Sequence, residues 1–278
     1  MPELPPDIDE TVRAALAEDV GTGDVTSRAV VPRDATTRGR LVAKEAGVVA
    51  GVPVAHAVFD ALDSGIRVEP LLHEGDAARS GDVIAGVDGP ARAVLAGERV
   101  ALNFLTHLSG IATRTREYVD ACADTDSVIL CTRKTLPGLR ALERYAVEVG
   151  GGVLHRAGLY DAILIKDNHV AIAGGVTEAI RRARAGTGLN VEVEVDTLEQ
   201  LQEAIDAGAD RILLDNPDVE TVKRAVDVVA GRVPLEVSGG LTVERVRSIA
   251  PLGRLLLSVG RITHSAPALD VSLEIEPG

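Results

Sequence analysis

The chain has 278 residues, 46% of them hydrophobic, which is enough material for buried cores and for two domains of ordinary size. A formal net charge of −13 argues against a nucleic-acid partner, because phosphate backbones are held by clustered lysine and arginine. Cys122 and Cys131 are too few for a disulfide framework and form no CxxC pair, so both read as buried thiols. No apolar run approaches the roughly 18 residues that a membrane helix needs, and residues 1–6 lead into an acidic segment rather than a leader, so no membrane association and a cytoplasmic location are expected.

In chain order, RLVAKE at 40–45, GIRVEPLLHEGD at 65–76 and GDVIAGVDGPARAVL at 81–95 predict turn-separated short strands of an α+β domain. AGERVALNFLTHLSGIATRTREYVDACA at 96–123 predicts a connecting helix, bent at Gly110. SVILCT at 127–132, DAILIK at 161–166, NVEVEV at 190–195, RILLD at 211–215, VPLEV at 233–237 and RLLLS at 254–258 predict buried parallel strands. Between them, 197–207 and 217–230 predict amphipathic helices, with Asp196 and Asn216 as N-caps and Pro217 at a first helical position. The result is six strand-helix units, fewer than the eight of a complete barrel.

Polar residues recur where these strands end. Arg133 and Lys134 follow the first, Lys166 closes the second, Glu194 lies near the end of the third and Asp215 closes the fourth; Ser238, Gly239 and Gly240 follow the fifth, and Gly260 and His264 follow the sixth. In barrel enzymes that face holds the active site. Between Thr132 and His169 six cations (Arg133, Lys134, Arg140, Arg144, Arg156, Lys166) face four carboxylates, a local exception to an acidic chain and a candidate receptor for a polyanion. The glycine loops at 238–240 and 260 offer backbone amides to an anion. Glu194 and Asp215 beside a polyanion are explained if they hold Mg²⁺, grip ribose hydroxyls or stabilise a developing cation; pairing with Lys166 and Arg156 is the structural alternative.

The strings EDVGTGDVTS at 18–27, ERVALNFLTHLSGIAT at 98–113, TRKTLPGLRALERYAVEVGGGVLHRAGLYDAILIKDNH at 132–169, VEVEV at 191–195, LLDN at 213–216, EVSGG at 236–240 and THS at 263–265 resemble quinolinate phosphoribosyltransferases over nearly the whole chain. The resemblance implies an α/β fold with an N-terminal α/β sandwich domain, residues 1–110, on which a tail at 266–278 packs back. The remainder, residues 111–265, is implied to be an incomplete six- to seven-stranded α/β barrel. It implies transfer of a phosphoribosyl group from phosphoribosyl pyrophosphate to quinolinate, with loss of CO₂ and pyrophosphate, by a Mg²⁺-dependent homodimer or higher homo-oligomer whose sites are shared between subunits. Arg99 of one subunit, with Arg133, His155 and Arg156 of the other, would hold quinolinate. Lys134, Glu194, Asp215, Ser238, Gly239, Gly240, Val259, Gly260 and Arg261 would serve phosphoribosyl pyrophosphate, with His264 nearby, Lys166 would serve both substrates, and Thr132 is a further substrate-binding residue. Lys134, Lys166, Glu194 and Asp215 would carry catalysis, the two carboxylates also holding the metal. Arg144 and Cys131 stand where the family pattern suggests lysine and a small polar residue.

Two alternatives have their own signatures. A relative of the same fold acting on another substrate, such as a nicotinate phosphoribosyltransferase or the molybdenum-transport-associated paralogue, would not need the receptor for a second carboxylate that Arg99, Arg133, Arg156 and Lys166 supply. EGDAARSGDVIAGVDG at 74–89 superficially resembles a lipoyl or biotinyl carrier, but no lysine lies between Glu45 and Arg133 to accept the group.

Overall fold

The structure, a computed structural model, describes residues 2–276. The described residues up to Arg116, together with Thr135–Gly151 and those from Ile262 onward, form one compact unit; Glu117–Lys134 and Gly152–Arg261 form a second.

In the first unit, β1 (Thr36–Ala43), β3 (Arg67–Pro70), β5 (Val83–Pro90) and β12 (Val271–Ile275) make an antiparallel sheet in the order β12-β1-β5-β3, beside a small ladder of β2 (Gly47–Val48) and β4 (Ala77–Ala78). Leu41, Ile84, Val87, Val54, Val58 and Phe59 are buried in its core. Three shorter helices, α1 (Ile8–Asp19), α2 (Val25–Val30) and α3 (Val52–Leu62), precede the 30-residue α4 (Ala91–Asp120). The helix therefore begins five residues earlier than its pattern predicts: residues 91–95 are not strand but its first turns, starting directly after Pro90.

Gly110 does not interrupt α4. A Cβ there would lie 2.0 Å from the Pro267 carbonyl oxygen and 2.9 Å from Ala268 Cα, so the glycine admits another stretch of backbone against the helix. The N-terminus of α3 has no side-chain cap of its own. The Glu74 carboxylate accepts from Gly51 N at 2.8 Å and Val52 N at 3.0 Å, and from the Tyr145 hydroxyl at 2.8 Å. Burial pushes the Glu74 pKa up against these bonds. Tyr145 belongs to α5 (Arg140–Val149), which is one reason Thr135–Gly151 groups with the first unit although it sits inside the stretch read as barrel.

The second unit carries β6 (Val128–Leu130), β7 (Ile163–Ile165), β8 (Val191–Val195), β9 (Arg211–Asp215), β10 (Leu235–Ser238) and β11 (Leu255–Ser258), every ladder parallel, in the order β6-β11-β10-β9-β8-β7. All six predicted strands are present. The last strand pairs back to the first, so the sheet curls as a barrel does. A seventh position is reduced to one parallel bridge between Val153 and Leu130, which leaves the barrel incomplete on the side of β7.

The intervening helices are α6 (Asp167–Ala173), α7 (Val176–Gly186), α8 (Leu198–Asp206), α9 (Val219–Val229) and α10 (Val243–Ile249), with α11 (Arg261–His264) after β11. Two predicted caps are displaced. Thr197, not Asp196, caps α8 by accepting from Gln200 N, and Asp218, not Asn216, caps α9 by accepting from Thr221 N at 2.7 Å. Pro217 accordingly lies outside the helix. Asn216 is drawn away by its place on the strand-end loop, where its φ is +49° and its N–H bonds the Ser238 carbonyl.

Candidate active site

Side chains alternate across a strand, so Glu192 and Glu194 share one face of β8 while Val191, Val193 and Val195 share the other. The register places Arg211 opposite Glu192, Leu213 opposite Glu194 and Glu236, and Ser238 opposite both Asp215 and Ser258. One face of the curled sheet is therefore polar. It opens at the strand C-termini into a cavity of about 550 Å³.

Eleven of the expected residues line that cavity: Thr132, Arg133, Lys134, His155, Arg156, Lys166, Glu194, Asp215, Ser238, Gly239 and Gly240. Thr132 accepts from Lys134 N at 3.1 Å, turning the chain directly after β6. Arg156 leads a tight loop in which Asp161 accepts from Ala157 N and Gly158 N, and its guanidinium bonds the Ala162 carbonyl at 3.3 Å. Burial and the neighbouring Arg133 charge hold the Arg156 pKa below its ordinary range. Two guanidiniums close enough to disfavour one another are arranged for an anion between or beside them.

Lys166 Nζ stands 3.5 Å from Glu194 Oε2, so the structural pairing foreseen for Glu194 is present. Burial raises the Glu194 pKa, Lys166 opposes this and the Asp215 charge adds to it. The two carboxylates thus stand near one another at the ends of adjacent strands, with Asp215 Oδ2 accepting from Asn216 Nδ2 at 2.8 Å. Beyond them, Gly239 and Gly240 have φ of +96° and +58°.

Other expected residues are not among those lining this cavity. Val259, Gly260 and Arg261 do not line the cavity: Val259 is buried and spends its N–H on the Leu130 carbonyl at 3.0 Å, and Arg261 is exposed at the start of α11. Arg99 is exposed on α4, and the exposed His264 lies 2.6 Å through Nδ1 from Ser265 Oγ; both belong to the first unit.

Cys131, Leu164, Leu213, Asn216, Glu236 and Ser258 also line the cavity and were not singled out by their sequence. With Glu192 and Arg211, two of them form a buried polar layer under it. His155 Nε2 lies 3.1 Å from Glu192 Oε2 and 3.3 Å from Glu236 Oε2; Ser258 Oγ donates to Glu236 Oε1 at 2.6 Å; Arg211 Nη1 is 3.3 Å from Glu236 Oε2. Burial opposes a charge on His155, but the two carboxylates outweigh it and push its pKa up to about 9. Burial and the charge of Glu236 raise the Glu192 pKa, whereas the bonds from His155 and Ser258 overcome burial and lower that of Glu236. The signal was available: a glutamate in the middle of a strand read as buried on both faces needs a buried partner.

Residues 24–109 match the family described as quinolinate phosphoribosyl transferase, N-terminal domain, and residues 111–274 match its C-terminal domain. A probable nicotinate-nucleotide pyrophosphorylase (carboxylating) of Bacillus subtilis is 46% identical over 263 residues, 93% of this chain and 90% of that one. A nicotinate-nucleotide pyrophosphorylase (carboxylating) of Mycobacterium leprae is 46% identical over 273 residues, 96% of each. The crystal structure of NadC from Streptococcus pyogenes superposes with a TM-score of 0.95 at 42% identity, covering all of both chains. With both family domains matched in order along one chain, this protein belongs to the quinolinate phosphoribosyltransferase family.

Proposed function

We propose that the cavity joins quinolinate to phosphoribosyl pyrophosphate, giving nicotinate mononucleotide, pyrophosphate and CO₂, a step that supplies NAD. The observation that carries this reading is the division of one cavity wall. Arg133, Arg156, His155 and Lys166 gather positive charge on one stretch, while Glu194 and Asp215 gather carboxylates beside a glycine turn on the next. The cationic part suits a planar dicarboxylate, because guanidinium forks match carboxylates in pairs and lysine adds a point charge. The glycine turn at Ser238–Gly240 and the Lys134 ammonium suit the phosphates.

In the reaction the pyridine nitrogen attacks the anomeric carbon as its bond to the pyrophosphate oxygen breaks. The ring becomes cationic, its charge stabilises the electron pair left on C2 when the 2-carboxylate departs as CO₂, and a proton from solvent then adds at C2 to complete nicotinate mononucleotide. Lys134 and Lys166 stabilise the departing anion, and Glu194 or Asp215 the positive charge that develops on the sugar. Holding two anionic substrates in register is the larger contribution. Glu194 and Asp215 are hard oxygen donors on adjacent strand ends and fit Mg²⁺, which when bound would neutralise pyrophosphate charge.

Beyond the cavity, we assign Arg99 to a partner subunit's quinolinate in a homodimer or higher homo-oligomer, and Arg261 and His264 to the phosphoribosyl pyrophosphate side. No described helix is long and apolar enough to cross a membrane, and the cytoplasm remains the proposed location. The test is CO₂ release from carboxyl-labelled quinolinate with phosphoribosyl pyrophosphate and Mg²⁺, nicotinate serving as control acceptor. Release with quinolinate and no nucleotide from nicotinate is expected; efficient use of nicotinate would sink the dicarboxylate reading.

A further inference from the structure

The reaction as proposed leaves Glu192 and Glu236 without a task. They are 6% and 1% exposed in the interiors of β8 and β10, a place where barrels ordinarily stack branched aliphatic side chains. A buried carboxylate is costly there unless it is paired and hydrogen-bonded, and aliphatic side chains would fill the layer at no such cost. The pair shares two partners, the Arg211 guanidinium, 3.9 Å from Glu192 and 3.3 Å from Glu236, and the His155 ring on the cavity wall. His155 Nε2 is shared between them at 3.1 and 3.3 Å, its Nδ1 faces Arg156 N at 2.7 Å, and its own N–H points at Cys131 Sγ at 3.3 Å. Ser258 donates to the other oxygen of Glu236, Oε1, while Arg211 approaches the same Oε2 that meets His155.

We propose that Glu192 and Glu236 are positioning residues for substrate selection: they fix the plane of the His155 imidazole on the cavity wall, and with it the loop that carries Arg156, so that the ring and the guanidinium meet the aromatic dicarboxylate together. This rests on the functional reading above. Because His155 is the residue through which the pair reaches the loop carrying Arg156, their loss should reach quinolinate before it reaches the phosphoribosyl donor, even though Glu236 and Ser258 themselves line the cavity. A divalent cation is the competing occupant, since the three residues offer ligand atoms within 4.8 Å of one another. The Arg211 guanidinium, 3.3 Å from Glu236 Oε2, disfavours it.

The experiment compares full-length wild type with Glu236→Gln, Glu192→Gln and the milder Ser258→Ala, which removes a bond to Glu236 without touching His155. Steady-state constants are measured for each substrate, with thermal melting alongside. We expect the KM for quinolinate to rise roughly tenfold in Glu236→Gln and about threefold in Ser258→Ala, with the KM for phosphoribosyl pyrophosphate unchanged. If both KM values rise together, or if melting temperatures fall while the quinolinate KM stays put, the layer is structural and the proposal is overturned. Ser258→Ala keeps the test open if the charge-removing variants do not fold. Tight Mn²⁺ binding lost specifically in Glu236→Gln would also overturn it, in favour of a metal site. Wild type that fails to turn over quinolinate sinks the proposed function; active wild type with an unmoved quinolinate KM in every folded variant sinks the positioning role.

Discussion

Gly239→Ala probes the turn that closes the cavity at the end of β10. Its φ of +96° lies where L side chains are disfavoured, which costs about 1–2 kcal/mol. The new Cβ would also fall 2.2 Å from Asn216 Oδ1, 2.4 Å from its Cγ and 2.8 Å from its backbone N. The side chain alone cannot swing clear of all three, because Asn216 N is bonded to the Ser238 carbonyl and its amide nitrogen to Asp215. Crowding of this kind costs about 1–3 kcal/mol more. The gain from a stiffer unfolded chain, about 0.4–1 kcal/mol, leaves a net destabilisation of roughly 1–5 kcal/mol. Relief must come from moving the turn or Asp215, and a shift of about 1 Å at a reacting centre lowers turnover around a hundredfold. Urea unfolding and steady-state turnover measure the two effects, with Gly186→Ala as control, since that glycine has open space around it and no positive φ. Unfolding midpoints and turnover indistinguishable between the two variants would show that the turn is slack and the reasoning wrong.

Two further outcomes follow from the same geometry. His155 has a folded pKa of about 9, above the ordinary value of 6.5, so the folded protein binds the extra proton more tightly than the unfolded chain. That stability is fully present below pH 6.5 and is lost as pH rises through about 9, with a slope of at most about 1.4 kcal/mol per pH unit. Urea unfolding between these limits should show the decline in wild type and a flatter profile in His155→Gln; parallel profiles refute the assignment. For the site proposed to be shared between subunits, Arg99→Ala and Lys134→Ala proteins should each be nearly inactive. After random subunit exchange their mixture should regain about a quarter of wild-type activity, because half the dimers then hold one intact site. No recovery with verified exchange places Arg99 in its own subunit's site, and an active Arg99→Ala protein removes it from catalysis.

The sequence by itself determined the six parallel strands and the face on which their polar ends converge. That information is local: an apolar run followed by a charge at its C-terminal edge marks both the strand and the rim, and Arg133, Lys166, Glu194 and Asp215 were legible for this reason. Caps were less secure, because Asp196 and Thr197, or Asn216 and Asp218, offer the backbone nearly equivalent acceptors. Only the helix's first residue chooses between them. Tertiary structure decided what depends on distant chain. Gly110 reads only as a bend in the helix until residues 267 and 268 are seen against it, and Thr135–Gly151 reads as barrel until Tyr145 is seen bonded to Glu74. Glu192 and Glu236 are separated by 44 positions, and alternation states only that each shares a face with Glu194 or Ser238. That both meet one histidine was settled by the curl of the sheet and the register of its strands, because a buried carboxylate acquires its partner across the fold and not along the chain.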